Sequence, residues 1–202
     1  MIYLIRHGET RFNREGRYQG RVDSPLTGVG RAQARAIAQR LRVIAAVEPG
    51  EWQVQTSPLG RARRTAAAIT RALDLGAPVV DERLVEVSYG RIEGLTRAQA
   101  DAAWPELAGL ESVFGRAPGG ESFEALGARA GAWLAEAEAA PWKRFVAVSH
   151  AGVIRTLRGL YLGLTLDQIR ALDRPQDALF RLQGGRIERI EAPPLPSAAA
   201  RS

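Results

Sequence analysis

The chain contains no cysteine, which excludes disulfides and thiolate metal sites. Lysine is almost missing as well: of 28 basic residues only Lys143 is a lysine, and the rest are arginines. Histidine occurs twice, at His7 and His150. No apolar run approaches the roughly 20 residues that a membrane span needs. The opening Met1-Ile2-Tyr3-Leu4-Ile5-Arg6 is too short for a signal peptide and carries its apolar part before its charge. These absences lead us to expect a cytoplasmic protein with no membrane partner. What is present is ordinary globular material: 202 residues, 46% hydrophobic and 25% charged. That is enough to bury a core, and it argues against a disordered or fibrous chain. The net charge of +6 suits anionic partners, either nucleic acid or small phosphorylated molecules. The arginine-for-lysine skew itself reads first as codon usage of a GC-rich genome. Only Arg61, Arg63 and Arg64 cluster tightly, and no basic patch interleaved with aromatics appears, so no nucleic-acid partner is expected.

Short apolar runs alternate with helical patterns. Residues 2–5, 52–56, 78–80 and 145–148 read as strands, and residues 8–25 as a loop. Thr27 can cap a helix to about residue 46, Ser57-Pro58 can open one to about residue 73, and Ser122 can cap one to about residue 139. Residues 96–114 read as one or two short helices broken at Pro105. A further helix follows residue 150, to about residue 160. Residues 178–183 and 186–190 flank Gly184-Gly185 as a closing hairpin. The expectation is an α/β fold, a three-layer α/β/α sandwich with a mostly parallel central sheet, as one domain over 1–191. The Pro-, Ala- and Ser-rich residues 192–202 read as a disordered tail.

In such sheets ligands bind beyond the carboxyl ends of the strands. Both histidines fall there, each just past an apolar run and each followed within two residues by glycine. Two randomly placed polar residues would rarely both land so. Arg6 precedes His7, and Arg61 lies early in the helix after the second strand. Together these groups would make a positive pocket suited to a phosphoryl dianion, which arginine binds bidentately. For most other arginines a solvated surface charge is the better reading, and Glu86 alone carries little signal.

These residues resemble the histidine phosphatase superfamily, the group that includes cofactor-dependent phosphoglycerate mutase. Arg6-His7-Gly8-Glu9-Thr10 matches its hallmark motif. Asn13, Gln19-Gly20, Ser24-Pro25-Leu26-Thr27 with Gly30 and Gln33-Ala34, Ser57-Pro58-Leu59 with Arg61-Ala62 and Thr65-Ala66, Leu84 and Glu86 with Gly90 and Glu93-Gly94, Pro118-Gly119-Gly120-Glu121-Ser122, and Ser149-His150-Ala151-Gly152-Val153 follow in the family's order. The blocks span about residues 1–160.

The resemblance implies a phosphohistidine enzyme. His7 would be the nucleophile. Arg6, Arg61 and His150 would hold the phosphoryl oxygens, and Glu86 would serve as acid and then base. Asn13, Gln19, Gly20, Ala151 and Gly152 would contact phosphate or substrate. It implies no cofactor and no metal, a small phosphorylated substrate, and a phosphatase in preference to a mutase, because only residues 95–117 lie where true mutases carry a longer insertion. A mutase, a catalytically dead phospholigand-binding module, and a metal hydrolase using His7, His150, Glu9 and Glu86 are the competing readings. Two histidines flanked by arginines make a poor dication site. The oligomeric state is not readable, a homodimer being compatible with the chain.

Overall fold

The computed structural model describes residues 1–110 and 112–195. Strand β1, Ile2–Arg6, is apolar at every position before its last residue, and it is buried on both faces. Tyr3 and Ile5 point into one core while Ile2 and Leu4 point into the other, as the two-residue period of a strand requires. The chain continues through α1 (Arg11–Arg14), α2 (Gly28–Ala45), β2 (Glu51–Thr56), α3 (Gly60–Ala72) and the two-residue β3 (Val79–Val80). It then runs through α4 (Arg97–Ala103), α5 (Phe123–Glu138), β4 (Lys143–Ser149), α6 (Ala151–Leu162), α7 (Leu166–Ala171), β5 (Ala178–Gln183) and β6 (Arg186–Glu191).

The six strands lie in the order β3-β2-β4-β1-β5-β6. Neighbours from β3 to β1 are parallel, and β5 and β6 add two antiparallel pairings at the other end. Helices α2 and α3 cover one face, where Ile37, Leu41, Ala66 and Ile69 meet Tyr3, Ile5, Val54 and Val148. Helices α5 and α6 cover the other, where Leu126, Trp133, Val153 and Leu157 meet Ile2, Leu4 and Phe145. The result is the expected three-layer α/β/α sandwich with a mostly parallel sheet. Trp133 carries its polar atom into the core satisfied, the indole N–H donating to Gln55 Oε1 at 2.5 Å.

Local signals decide most boundaries. Thr27 and Ser122 cap α2 and α5, their side chains accepting from the backbone N–H groups of Gly30 and Ala125. Pro105 ends the α4 region and opens a 3₁₀ turn, Pro105–Leu107. Gly184 and Gly185 turn the β5–β6 hairpin with φ of 57° and 72°, the positive values that a two-residue hairpin turn needs. Three details differ from expectation. Ser57 is not a helix cap: α3 starts after Leu59, without a side-chain cap. The segment 8–25 is not all loop, because Thr10 and Asn13 form a capping box around α1. Helix α7 had no counterpart in the sequence reading.

Of the segment expected to be disordered, residues 192–195 are described. Ala192 N–H donates to Asp177 O at 2.8 Å, and Pro193, Pro194 and Leu195 border a hollow beside Gln33 and Ala36. Residues 196–202 lie outside the described residues. Among the described residues no helix is long and apolar enough to cross a membrane.

Candidate active site

Strand register assembles the site. In the parallel ladders Arg6 sits opposite Ser149, and Thr56 opposite Val148. The residues just beyond these ends are therefore neighbours: Ser57 after β2, His150 after β4 and His7 after β1. The ladder extends one step past the strands, with His7 N–H donating to Ser149 O and Ser57 N–H to Val148 O, both at 3.0 Å. The rings of His7 and His150 come to 5.1 Å between centroids at 59°, and His150 Nε2 lies 2.7 Å from Ser57 Oγ.

Gly8 must be glycine for a packing reason. A Cβ there would meet Gly30 O at 2.1 Å, while one on Gly30 would meet Glu9 O at 2.0 Å. The loop after β1 thus lies directly against the first turn of α2. The Glu9 side chain is spent on that junction, bonded to Thr27 Oγ1 at 2.5 Å.

The His7 imidazole is buried, and its two nitrogens are distinguished. Nδ1 lies 2.8 Å from Gly8 O, an acceptor only, so Nδ1 carries the hydrogen. Arg61 Nε donates to Nε2 at 3.3 Å, so Nε2 keeps its lone pair. Burial, then the Arg61 and Arg6 charges, hold His7 well below the usual imidazole value, outweighing the Gly8 carbonyl bond that acts the other way. His150 is likewise held well below that value, by burial first and then by Arg61, His7 and Arg6. Both rings are neutral at pH 7. If Ser57 Oγ–H donates to His150 Nε2, Nδ1 of His150 carries a hydrogen, and that buried atom has no hydrogen-bond partner.

Arg61 is wholly buried and fixed by neutral and acidic oxygens: Gly20 O at 2.6 Å, Val22 O at 2.9 Å and Asp23 Oδ1 at 3.2 Å. Arg6 donates from Nη1 to Arg174 O at 2.6 Å, while its Nε is buried without a partner. Burial pushes Arg6 down to about 10, so it stays charged at pH 7. The Glu86 carboxylate accepts from Val87 N–H at 2.9 Å and from Gly152 N–H at 3.3 Å, and it acts electrostatically on both Arg6 and Arg61.

The structure therefore brings His7, Arg61, His150, Arg6 and Glu86 together. Asn13 joins through Gln176, whose Nε2 donates to His7 O at 3.1 Å and to Asn13 Oδ1 at 3.0 Å. Gly20 contributes its carbonyl to Arg61. Gln19 donates to Thr10 Oγ1, and its Oε1 is buried without a partner. The Gly152 N–H donates to Glu86 Oε2 at 3.3 Å. Ala151 opens α6, its carbonyl accepting from Arg155 Nε at 3.4 Å. The sequence reading missed Ser57 as a partner of His150, Thr65, whose Oγ1 accepts from Gly8 N–H at 3.2 Å, and Gln176. The Ser57-Pro58 pair was legible, but as a helix start. Gln176 stands in a loop with no local signal.

An arginine-lined cleft with a buried, neutral imidazole, at the carboxyl edge of a parallel sheet, has the chemistry to hold an anionic phosphoryl group. Comparison with known proteins makes this specific. The model of the histidine phosphatase superfamily (branch 1) matches residues 2–187. "Probable phosphoglycerate mutase GpmB" of Citrobacter koseri is 35% identical over 195 residues, 94% of this chain and 84% of that one. Its namesake from Escherichia coli O1:K1 / APEC is 36% identical over 197 residues, with the same two coverages. A mycobacterial glucosyl-3-phosphoglycerate phosphatase, solved with VO3, is 33% identical and superposes with a TM-score of 0.79 over 95% of this chain and 96% of its own. An α-ribazole phosphatase from Shigella flexneri, 24% identical with a TM-score of 0.71 over 97% of this chain and 96% of that one, shares the fold. The chain belongs to the histidine phosphatase superfamily and is an enzyme of that kind.

Proposed function

We propose that the protein is a metal-independent phosphomonoesterase that works through a phosphohistidine on His7. The observation that carries this reading is the state of that ring: Nδ1 tied to Gly8 O, and Nε2 unprotonated beside Arg61. His7 Nε2 attacks phosphorus. The P–N bond forms as the P–O bond to the leaving alcohol breaks, and Glu86 gives that oxygen its proton. Water then attacks the phosphohistidine, Glu86 takes the proton back, and inorganic phosphate leaves with His7 restored. Arg6, Arg61 and His150 donate to the equatorial oxygens, the unpartnered Arg6 Nε and His150 Nδ1 being free for this. Asn13 borders the same cleft. Metal independence is supported by the donor set: among the described residues no three His, Asp or Glu side chains group as metal ligands would.

The test is a phosphoenzyme experiment. His7→Ala removes turnover of p-nitrophenyl phosphate together with an acid-labile, base-stable phosphoenzyme, while excess EDTA leaves wild-type turnover unchanged. Wild-type burst labelling in His7→Ala would remove the nucleophile from this scheme, and EDTA-sensitive turnover restored by a divalent ion would overturn metal independence. The printed names of the GpmB relatives support a second reading, a mutase. Turnover of 3-phosphoglycerate to its 2-isomer in the presence of 2,3-bisphosphoglycerate distinguishes it from hydrolysis.

A further inference from the structure

Next to the nucleophile lies a cavity of about 490 Å³, within the size range of small-molecule sites. It opens on the catalytic groups through Arg6, Asn13 and Gln176. Five arginines border it, namely Arg6, Arg17, Arg97, Arg155 and Arg174, and among the described residues no Asp or Glu does. Two of the five are neutralised nearby: Arg17 pairs with Glu15 and Arg97 with Asp101. Arg6, Arg155 and Arg174 make no ion pair among the described residues.

Arg155 is the informative one. It is 4% exposed, donates to Arg170 O at 2.9 Å, and lies 5.0 Å from the Phe114 ring centroid. Its charge is thus buried against neutral partners alone. Burial and the neighbouring Arg174 charge both act against that charge, Tyr89 and Glu86 in its favour. Holding a desolvated guanidinium with no ion pair is costly unless an anion completes it. The transferring phosphoryl group already has Arg6, Arg61 and His150, and the latter two do not border this cavity. Arg155 and Arg174 are surplus to it.

We propose that this cavity seats the leaving group, and that the leaving group itself carries an anion, a carboxylate or a second phosphate, held by Arg155 and Arg174. The substrate class is then a small phosphomonoester of an acid or of a second phosphate ester, not of a neutral alcohol. This rests on the phosphatase reading for turnover, but the binding preference can be measured without it.

The test uses His7→Ala protein and two ligand pairs that differ in a second anionic group, read by calorimetry. 3-Phosphoglycerate against glycerol 3-phosphate tests a carboxylate, and propane-1,3-diol bisphosphate against propyl phosphate tests a second phosphate. In at least one pair the member with the second anionic group binds about tenfold or more tighter than the member without it, as a charge-assisted pair provides. Adding Arg174→Gln, an exposed position that leaves the fold intact, collapses that ratio severalfold, and Arg174→Lys restores part of it. Arg155→Gln does the same where it folds. Equal affinities within both pairs overturn the proposal, as does an Arg174→Gln effect that weakens both members of a pair alike. With His7 restored, the same preference appears in kcat/KM. Retained binding preference with no release of phosphate from any of the four ligands, nor from p-nitrophenyl phosphate, would instead sink the phosphatase reading and leave the subsite standing.

Discussion

At the scale of single residues, the roles of Glu86 and Arg61 separate by leaving group. Glu86→Gln lowers kcat/KM for alkyl phosphates by about 10²–10⁴-fold and much less for p-nitrophenyl phosphate, whose leaving group needs little protonation. Arg61→Ala lowers both by a similar factor, about 10²–10³, because in the proposed scheme its partner is the phosphoryl group. It also lowers Tm, since Gly20 O and Val22 O lose their buried donor. Steady-state kinetics over a series of leaving groups checks both. Gly152 provides a third probe. A Cβ there would lie 2.7 Å from Glu86 Oε1 and 2.9 Å from Val87 Cγ1, so Gly152→Ala displaces the carboxylate. The expected outcome is the Glu86→Gln leaving-group pattern with phosphoenzyme labelling of His7 preserved. Uniform loss across leaving groups would contradict it. The histidines that the fold brings together were legible, because His7 and His150 are rare residues at strand ends. Arg155 and Arg158 were not. Neither stands out in sequence from the arginines for which a surface charge is the better reading, yet both are buried, Arg158 pairing with Asp173 and stacking 3.7 Å over Phe180. An arginine on a helix gives no sign in sequence of which aromatic it will meet.

At the scale of elements, α2 has its start welded to the catalytic loop. Thr27 Oγ1 accepts from Gly30 N–H at 2.9 Å and also bonds Glu9, while Thr27 N–H reaches Glu9 O at 2.9 Å. Thr27→Ala costs about 1–2 kcal/mol as a lost cap. For a chain of this size that is a fall in Tm of about 2–8 °C, to be read by calorimetry. The caps were visible as Thr27 and Ser122 because a short hydroxyl preceding an apolar helical period has a local cause. Ser57 shows where local reasoning stops. Its hydroxyl is within reach of Leu59 N–H at 3.2 Å, yet its other partner, His150, comes from a strand 93 residues further on. Only the register of β2 against β4 brings them together. Helices α1 and α7, of four and six residues, are too short to show a helical period.

At the scale of the whole molecule, the alternation of strands and helices was enough to anticipate three layers, whereas the antiparallel placement of β5 beside β1 depends on long-range pairing. The two buried neutral histidines also make stability depend on pH. Unfolded, each protonates near pH 6.5; folded, each is held well below its usual value. Above about pH 6.5 both states carry neutral rings and the histidines add no slope. Below it the unfolded chain binds protons that the folded one does not, so stability falls with falling pH until the folded values are passed. The slope is about 1.4 kcal/mol per pH unit for each histidine. Urea melts at pH 7, 6 and 5 show this fall, and His7→Asn/His150→Asn flattens it. The scarcity of lysine has a different consequence. Lys143 opens β4, the strand whose far end delivers His150, about 20 Å away at a strand's rise per residue. The Lys143 ammonium lies 3.4 Å from Glu51 Oε1 at the start of β2, so this amine sits on the edge of the sheet opposite the cleft. A support that couples to the lysine side chain therefore grips the molecule by that edge and leaves the cleft facing solution, and the anchored enzyme keeps the kcat/KM of the free one.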